Sequence, residues 1–215
     1  MRLPKVKYQL ITIEGNIGAG KTTLSNLLAE HYNAHLILEQ FEDNPFLPKF
    51  YKDAERYAFP LELTFLAERY KQLKKQLTNR DIFQAVTISD YLFIKSKLFA
   101  KVNLPSDEYE LYETLFDIIY PNLPQPEVLI FLQAPISKLQ ENITNRNRDY
   151  EQEIETQYLE KIQDAYAGFL KSQPFITLMI DTTKTDFLNN KNQFAELLKY
   201  LEADYDKGTH WLEFN

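Results

Sequence analysis

The sequence predicts an α/β fold, a five-stranded parallel sheet flanked by helices. Three observations predict it. Five short apolar runs read as buried strands, at residues 8–14, 36–39, 85–89, 128–132 and 177–181. Longer stretches with apolar residues at helical spacing separate them. A glycine-rich turn, GNIGAGKT at residues 15–22, joins the first strand to the first helix. Strands that alternate with helices are joined by crossovers, and crossovers make a sheet parallel.

The elements follow in order. Behind the turn, residues 22–31 repeat apolar positions at Leu24, Leu27 and Leu28. The second strand ends on Glu39, and NPFLP (44–48) reads as a loop. Residues 58–77 carry Leu61, Phe65, Leu66, Leu73 and Leu77 at helical spacing. The third strand ends on Ser89 and Asp90. A helix over 91–103 then sets Tyr91, Lys95 and Phe99 four residues apart on one face. Further helices are expected over 107–120, 136–146, 155–171 and 190–203, with PNLPQP (121–126) as a loop. The tail GTHWLEFN, with the only tryptophan, is expected to pack on the last helix. Residues 1–215 read as one domain. Four of the five strands end on or beside a carboxylate, at Glu14, Glu39, Asp90 and Asp181. Ligands of parallel sheets bind at those carboxyl ends.

Composition excludes several classes. There is no cysteine, hence no disulfide and no thiolate metal site, and three scattered histidines give no ligand spacing. A net charge of −7 opposes a nucleic-acid partner, because neutralising phosphates takes an excess of Lys and Arg. No apolar run approaches the ~20 residues of a membrane span. MRLPKVKYQL lacks the apolar core of a leader, so a cytoplasmic location is expected.

GNIGAGKT fits the phosphate-loop spacing of Gly, four residues, Gly, Lys, Thr, with a strand before it and a helix after it. Gly15, Asn16, Ile17, Gly18, Ala19, Gly20, Lys21, Thr22 and Thr23 form the candidate loop for a nucleoside triphosphate, which the resemblance below narrows to ATP. Its N–H groups and the helix N-terminus attract phosphate. Lys21 can reach the β and γ phosphates, and the Thr22 hydroxyl can ligate Mg²⁺.

With the loop read as EGNIGAGKTT, the chain resembles the deoxynucleoside kinase family along nearly its whole length. The matching segments are LEQFEDNPFLPKFY (38–51), RYAFPLELTFLAERYKQL (56–73), NRNRDYEQEI (145–154) and YLEKIQDAY (158–166). The resemblance implies a phosphate-loop kinase fold with a short lid at about 145–155. It implies a Mg²⁺- and ATP-dependent salvage enzyme, acting on a deoxynucleoside and typically dimeric. Glu39 matches the general base for the sugar 5′-hydroxyl. Tyr51 and Glu151 match the residues that hold the 3′-hydroxyl. Arg146 and Arg148 match the lid arginines, whose forks suit phosphate oxygens. Glu62 and Arg69, two helical turns apart, match the base-reading positions. Asp186 and Phe187 resemble the loop edging the donor adenine, although a plain turn fits them nearly as well.

The chain also departs from the family. Most members have an acid, Arg and Ser after the third strand; here the order is Ser89-Asp90-Tyr91. Asp90 can keep the acid's Mg²⁺-binding role, or serve only as a helix N-cap. The arginine that braces the general base is missing, and the lid arginines or Lys95 are candidates to replace its charge. Phe99 falls where the family stacks an aromatic ring on the base. Lys95 falls where many members carry an acid. An ionised Glu62 can only accept, and Lys95 or Arg69 can only donate. That pattern suits guanine, with N1–H and N2–H₂ beside O6, better than adenine, whose N1 is an acceptor. Tyr91, Lys95 and Phe99 are therefore expected to wall the base site, and a purine deoxynucleoside is the expected substrate, deoxyguanosine ahead of deoxyadenosine. The SDY order also resembles the bacterial deoxyguanosine kinase branch.

Two alternatives stand beside this expectation. A nucleoside monophosphate kinase of the thymidylate kinase type shares the loop and lid, but would need cations near Glu39, where EQFEDN is acidic. A non-catalytic nucleotide-binding subunit, a kind the family includes, would explain the missing arginine.

Overall fold

The computed structural model describes residues 7–40, 44–78 and 85–214, with the side chains of 76–78 left aside. Glu42 and Asp43, part of the acidic EQFEDN segment, lie outside the described residues. In chain order the strands are β1 (Leu10–Gly15), β2 (His35–Ile37), β3 (Thr87–Ser89), β4 (Val128–Gln133), β5 (Ile176–Asp181) and β6 (Gly208–Trp211). The helices are α1 (Lys21–Tyr32), α2 (Leu47–Phe50), α3 (Ala54–Thr78), α4 (Lys95–Asn103), α5 (Ser106–Ile119), α6 (Ile136–Arg146), α7 (Thr156–Leu170) and α8 (Lys191–Glu202). Short 3₁₀ turns cover Tyr120–Asn122 and Asp149–Glu151.

The described residues form a sheet in the order β2-β3-β1-β4-β5-β6, and every pairing is parallel. Central strands of such a sheet are covered on both faces, which is why they read as unbroken apolar runs. Ile11, Ile13, Ile88, Val128, Ile130, Leu178 and Ile180 are all essentially inaccessible. Burying each such side chain stabilises the fold by roughly 1.5–3 kcal/mol. A second core beneath α3, α4 and α5 collects Leu61, Phe65, Leu66, Phe93, Ala100, Tyr112 and Phe116.

The sheet has six strands where the sequence reading expected five. The tail does not simply pack on the last helix: Gly208 to Trp211 add to the edge of β5, and Trp211 is 58% exposed. Past the strand the tail does reach α8: Phe214 lies edge-on to Tyr200 at 5.6 Å, and the Tyr200 hydroxyl donates to the Glu213 carbonyl (2.7 Å). Four residues of edge strand carry too little apolar alternation to be read from sequence. The third helix starts at Ala54, upstream of the expected 58, and takes Pro60 into its interior. The fourth starts at Lys95 rather than 91. Ser89 Oγ donates to the Tyr91 carbonyl (2.8 Å), and the Asp90 amide donates to Ile37 (3.0 Å), which hold residues 89–91 in a turn.

Candidate active site

The loops at the carboxyl ends of β1, β2, β3 and β5 line one cavity of about 810 Å³. That is within the usual size of a small-molecule site. Gly18, Ala19, Gly20, Lys21, Thr22 and Thr23 form one wall, with Ile17 beside them. Gly15 and Asn16 lie behind it, and Asn16 Nδ2 donates to the Leu159 carbonyl of α7 (2.8 Å). Two glycines are required by close approach. A Cβ on Gly15 would stand 2.6 Å from the Leu132 oxygen, and one on Gly18 2.7 Å from the Leu139 oxygen. Lys21 Nζ donates to the carbonyls of Gly15 (2.9 Å) and Asn16 (3.0 Å). Burial, with the nearby charge of Lys95, lowers its pKa to about 8.

Glu39 follows β2 and faces the loop across the cavity. Its Oε1 accepts from Arg69 Nε (2.9 Å) and from a terminal nitrogen of the same guanidinium (2.6 Å). Its Oε2 accepts from Lys95 Nζ (2.7 Å). Burial alone would raise the Glu39 pKa, but Lys95 and Arg69 outweigh it and hold the carboxyl well below its ordinary range. Two cations, from α3 and α4, thus hold the Glu39 carboxylate between them. Arg69, expected beside the base, spends its fork on Glu39 and on Ser96 Oγ (2.8 Å).

Asp90 is not a helix cap. Its Oδ1 accepts from the Glu39 amide (2.6 Å) and its Oδ2 from the Thr22 hydroxyl (2.7 Å), so it ties β2, β3 and the phosphate loop together. Among the described residues no cluster of three or more His, Cys, Asp or Glu could hold a metal by itself. A carboxylate and a hydroxyl side by side do fit Mg²⁺, which keeps several waters and takes other ligands from phosphates.

Tyr91 does not reach the cavity. It is 1% exposed, and its hydroxyl donates to Gln72 Oε1 (2.9 Å). Because the helix begins at Lys95, Tyr91 is not one turn before it on the same face. Lys95 and Phe99 do line the cavity, with Lys95 Nζ 5.3 Å above the Phe99 ring. Tyr51 lines it too, stacked on Tyr150 and edge-on to Tyr158. Glu151 is buried and held by Arg146, through Nε (3.0 Å) and a terminal nitrogen, and by Arg148 at 3.4 Å. Asp186 and Phe187 edge the cavity. Asp186 accepts from the Asn189 amide (3.0 Å), and Phe187 packs on Phe214.

Glu62 is 1% exposed and lines the cavity. Its Oε1 accepts from Asn103 Nδ2 (2.6 Å), while its Oε2 is shielded from solvent without a partner. Burial raises its pKa to about 7, against the opposing pull of Arg69, Asn103 and Lys95. Asn103 Nδ2 also lies 3.2 Å from the Tyr158 hydroxyl. The sequence reading assigned neither Asn103 nor Tyr158. One more i,i+4 step from Lys95 and Phe99 would have reached Asn103.

A glycine loop opening a helix at the carboxyl end of a parallel strand, with a braced carboxylate across the cavity, defines a nucleotide-dependent phosphotransferase. Comparison with known proteins makes the class specific. The chain belongs to the deoxynucleoside kinase family, whose model matches residues 11–204. It is 34% identical to a deoxyguanosine kinase of Bacillus subtilis (89% of this chain, 95% of the relative). It is 32% identical to a deoxyadenosine/deoxycytidine kinase of the same organism (92% and 93%). Among solved structures it resembles deoxyadenosine kinase from M. mycoides. The form with products dCMP and a flexible dCDP bound gives TM-score 0.79 at 25% identity (90% of this chain, 99% of that one). The form with bound dATP gives 0.78 at 25% identity (91% and 100%). The chain is a deoxynucleoside kinase. Among the described residues no helix is long and apolar enough to cross a membrane.

Proposed function

We propose that the protein transfers the γ-phosphoryl group of ATP to the 5′-hydroxyl of a purine deoxynucleoside, deoxyguanosine ahead of deoxyadenosine, in nucleoside salvage. The observation that carries this is the Glu39 carboxylate, held ionised by Arg69 and Lys95 across the cavity from Lys21 and Thr22. The 5′-hydroxyl donates to Glu39, which orients its oxygen toward the phosphorus and takes the proton. Phosphoryl transfer asks more for positioning and charge stabilisation than for a strong base, so a carboxylate of low pKa suffices. Lys21 and the arginines of the lid, residues 145–155, meet the charge of the moving phosphoryl group. ATP phosphates compete with Glu151 for Arg146 and Arg148, and the released Glu151 joins Tyr51 on the 3′-hydroxyl. Thr22 and Asp90 are the residues that would hold Mg²⁺, which neutralises phosphate charge when bound.

Glu62, and a lysine at position 95 where many family members carry an acid, support a purine. The relatives carry both guanosine and adenosine names, so base preference rests on chemistry: Glu62 offers guanine an acceptor. The Arg69–Lys95 brace answers the feature that favoured a non-catalytic subunit. A homodimer is supported by α5, where Leu111, Leu115 and Ile118 form an exposed i,i+4,i+7 stripe (54%, 38% and 66%). Steady-state kinetics with ATP and each deoxynucleoside test the proposal. The expected order of kcat/KM is deoxyguanosine, deoxyadenosine, then pyrimidines. A pyrimidine in first place removes the purine assignment.

A further inference from the structure

Glu62 differs from other acids of the cavity in having one oxygen committed and one without a partner. Asn103 Nδ2 is a donor and cannot accept, so the Oε1 it holds stays an acceptor whether Glu62 is charged or neutral. Any proton on Glu62 then sits on Oε2, the shielded oxygen of a residue that lines the cavity. A buried polar atom without a partner costs free energy that a ligand atom of the right kind recovers.

We propose that Asn103 is a positioning residue for base selection. By fixing Oε1 as an acceptor it makes Oε2 the single reading atom, an acceptor for guanine N1–H when Glu62 is ionised and a donor to adenine N1 when Glu62 is protonated. Base choice in this chain is therefore set by one proton. The inference rests on purine deoxynucleosides being the substrates.

The groups around Glu62 make the proton exchangeable. Arg69 on α3 and Lys95 on α4 favour the charged form; burial and Glu39 oppose it; Tyr112 on α5 and Tyr158 on α7 are neutral neighbours. The two cations do not neutralise Glu62 outright because both are bonded to Glu39. The balance leaves Glu62 titrating at about 7.

The test is the ratio of kcat/KM for deoxyguanosine to that for deoxyadenosine, at saturating ATP, from about pH 6 to about pH 8. This parameter reports ionisations of the form that meets the nucleoside, and ionisations common to both substrates cancel in the ratio. The bases themselves titrate outside this window. For the native chain the ratio is expected to rise with pH by at least about tenfold. In Glu62→Gln it is expected to be flat. In Asn103→Leu, loss of a bond that favours the charged form moves the rise to higher pH, so the variant prefers adenine more than the native chain at neutral pH. If both purines are turned over and the native ratio is flat, the single-proton reading is overturned while the purine assignment stands. If neither purine is turned over, the assignment itself falls. An Asn103→Leu profile identical to the native one removes Asn103 from base selection. Should that variant not fold, the native and Glu62→Gln profiles still decide whether Glu62 carries the proton.

Discussion

Lys95 Nζ stands 2.7 Å from Glu39 Oε2, and Arg69 holds the other oxygen of the same carboxylate at 2.6 Å. Lys95→Met should therefore lower kcat for deoxyguanosine by about 10²-fold, the usual cost of one electrostatic partner in an active site. Arg69→Met should do the same, and the double variant should cost less than the product of the two, because both act through one carboxylate. Steady-state kinetics of the three variants check this; full additivity would mean that the cations act independently of Glu39.

Glu39→Gln keeps the shape of the residue and one acceptor, but cannot take a proton. It should lower kcat by ~10²-fold or more while the KM for ATP changes little. Near-native kcat would remove Glu39 from proton transfer.

Glu62 also makes stability depend on pH. Its pKa is 4.5 ordinarily and about 7 in the fold, so between these values the native state binds more protons than the unfolded one. The stability it contributes is complete below about pH 4.5 and is lost as pH rises through about 7. A gap of that size corresponds to roughly 3 kcal/mol at full burial. Glu62→Gln, free of substrate, should melt higher than the native chain at about pH 8 and show little gain at about pH 5. Equal gains at both pH values, by thermal denaturation, would place the Glu62 pKa near its ordinary value.

Gly18 sits at φ +81°, and a Cβ added there would stand 2.7 Å from the Leu139 oxygen and 3.0 Å from Ile143 Cγ1. Gly18→Ala should cost about 1–3 kcal/mol of stability for that backbone conformation, lower Tm, and raise the KM for ATP as the loop withdraws from α6. An unchanged KM for ATP would separate the loop's shape from phosphate binding.

The alternation of strands and helices, the phosphate loop and Glu39 at its strand end were legible because each is a local pattern: period, glycine spacing, the last residue of an apolar run. Lys95 as a brace was visible only as one of several candidates, since its partner lies 56 residues away. The grip of Arg69 on Glu39 was not legible, because helical spacing fixes the face of a residue but not the acid its fork selects. Tyr91 was read one turn too early; the turn set by Ser89 Oγ is a side-chain-to-backbone bond that periodicity does not register. β6 was missed because an edge strand needs little sequence of its own when β5 supplies its hydrogen-bonding partner.

The place of β1 in the sheet has a consequence for how the chain is made. It lies between β3 and β4, so β1 stays unpaired on one side until residues 128–133 have left the ribosome. Until then it offers a bare apolar edge to any other extended chain. Pulsed hydrogen exchange during refolding should show the amides of Ile11 to Gly15 gaining protection together with those of β4; protection of β1 before β4 would mean that the nucleus forms on the β3 side alone.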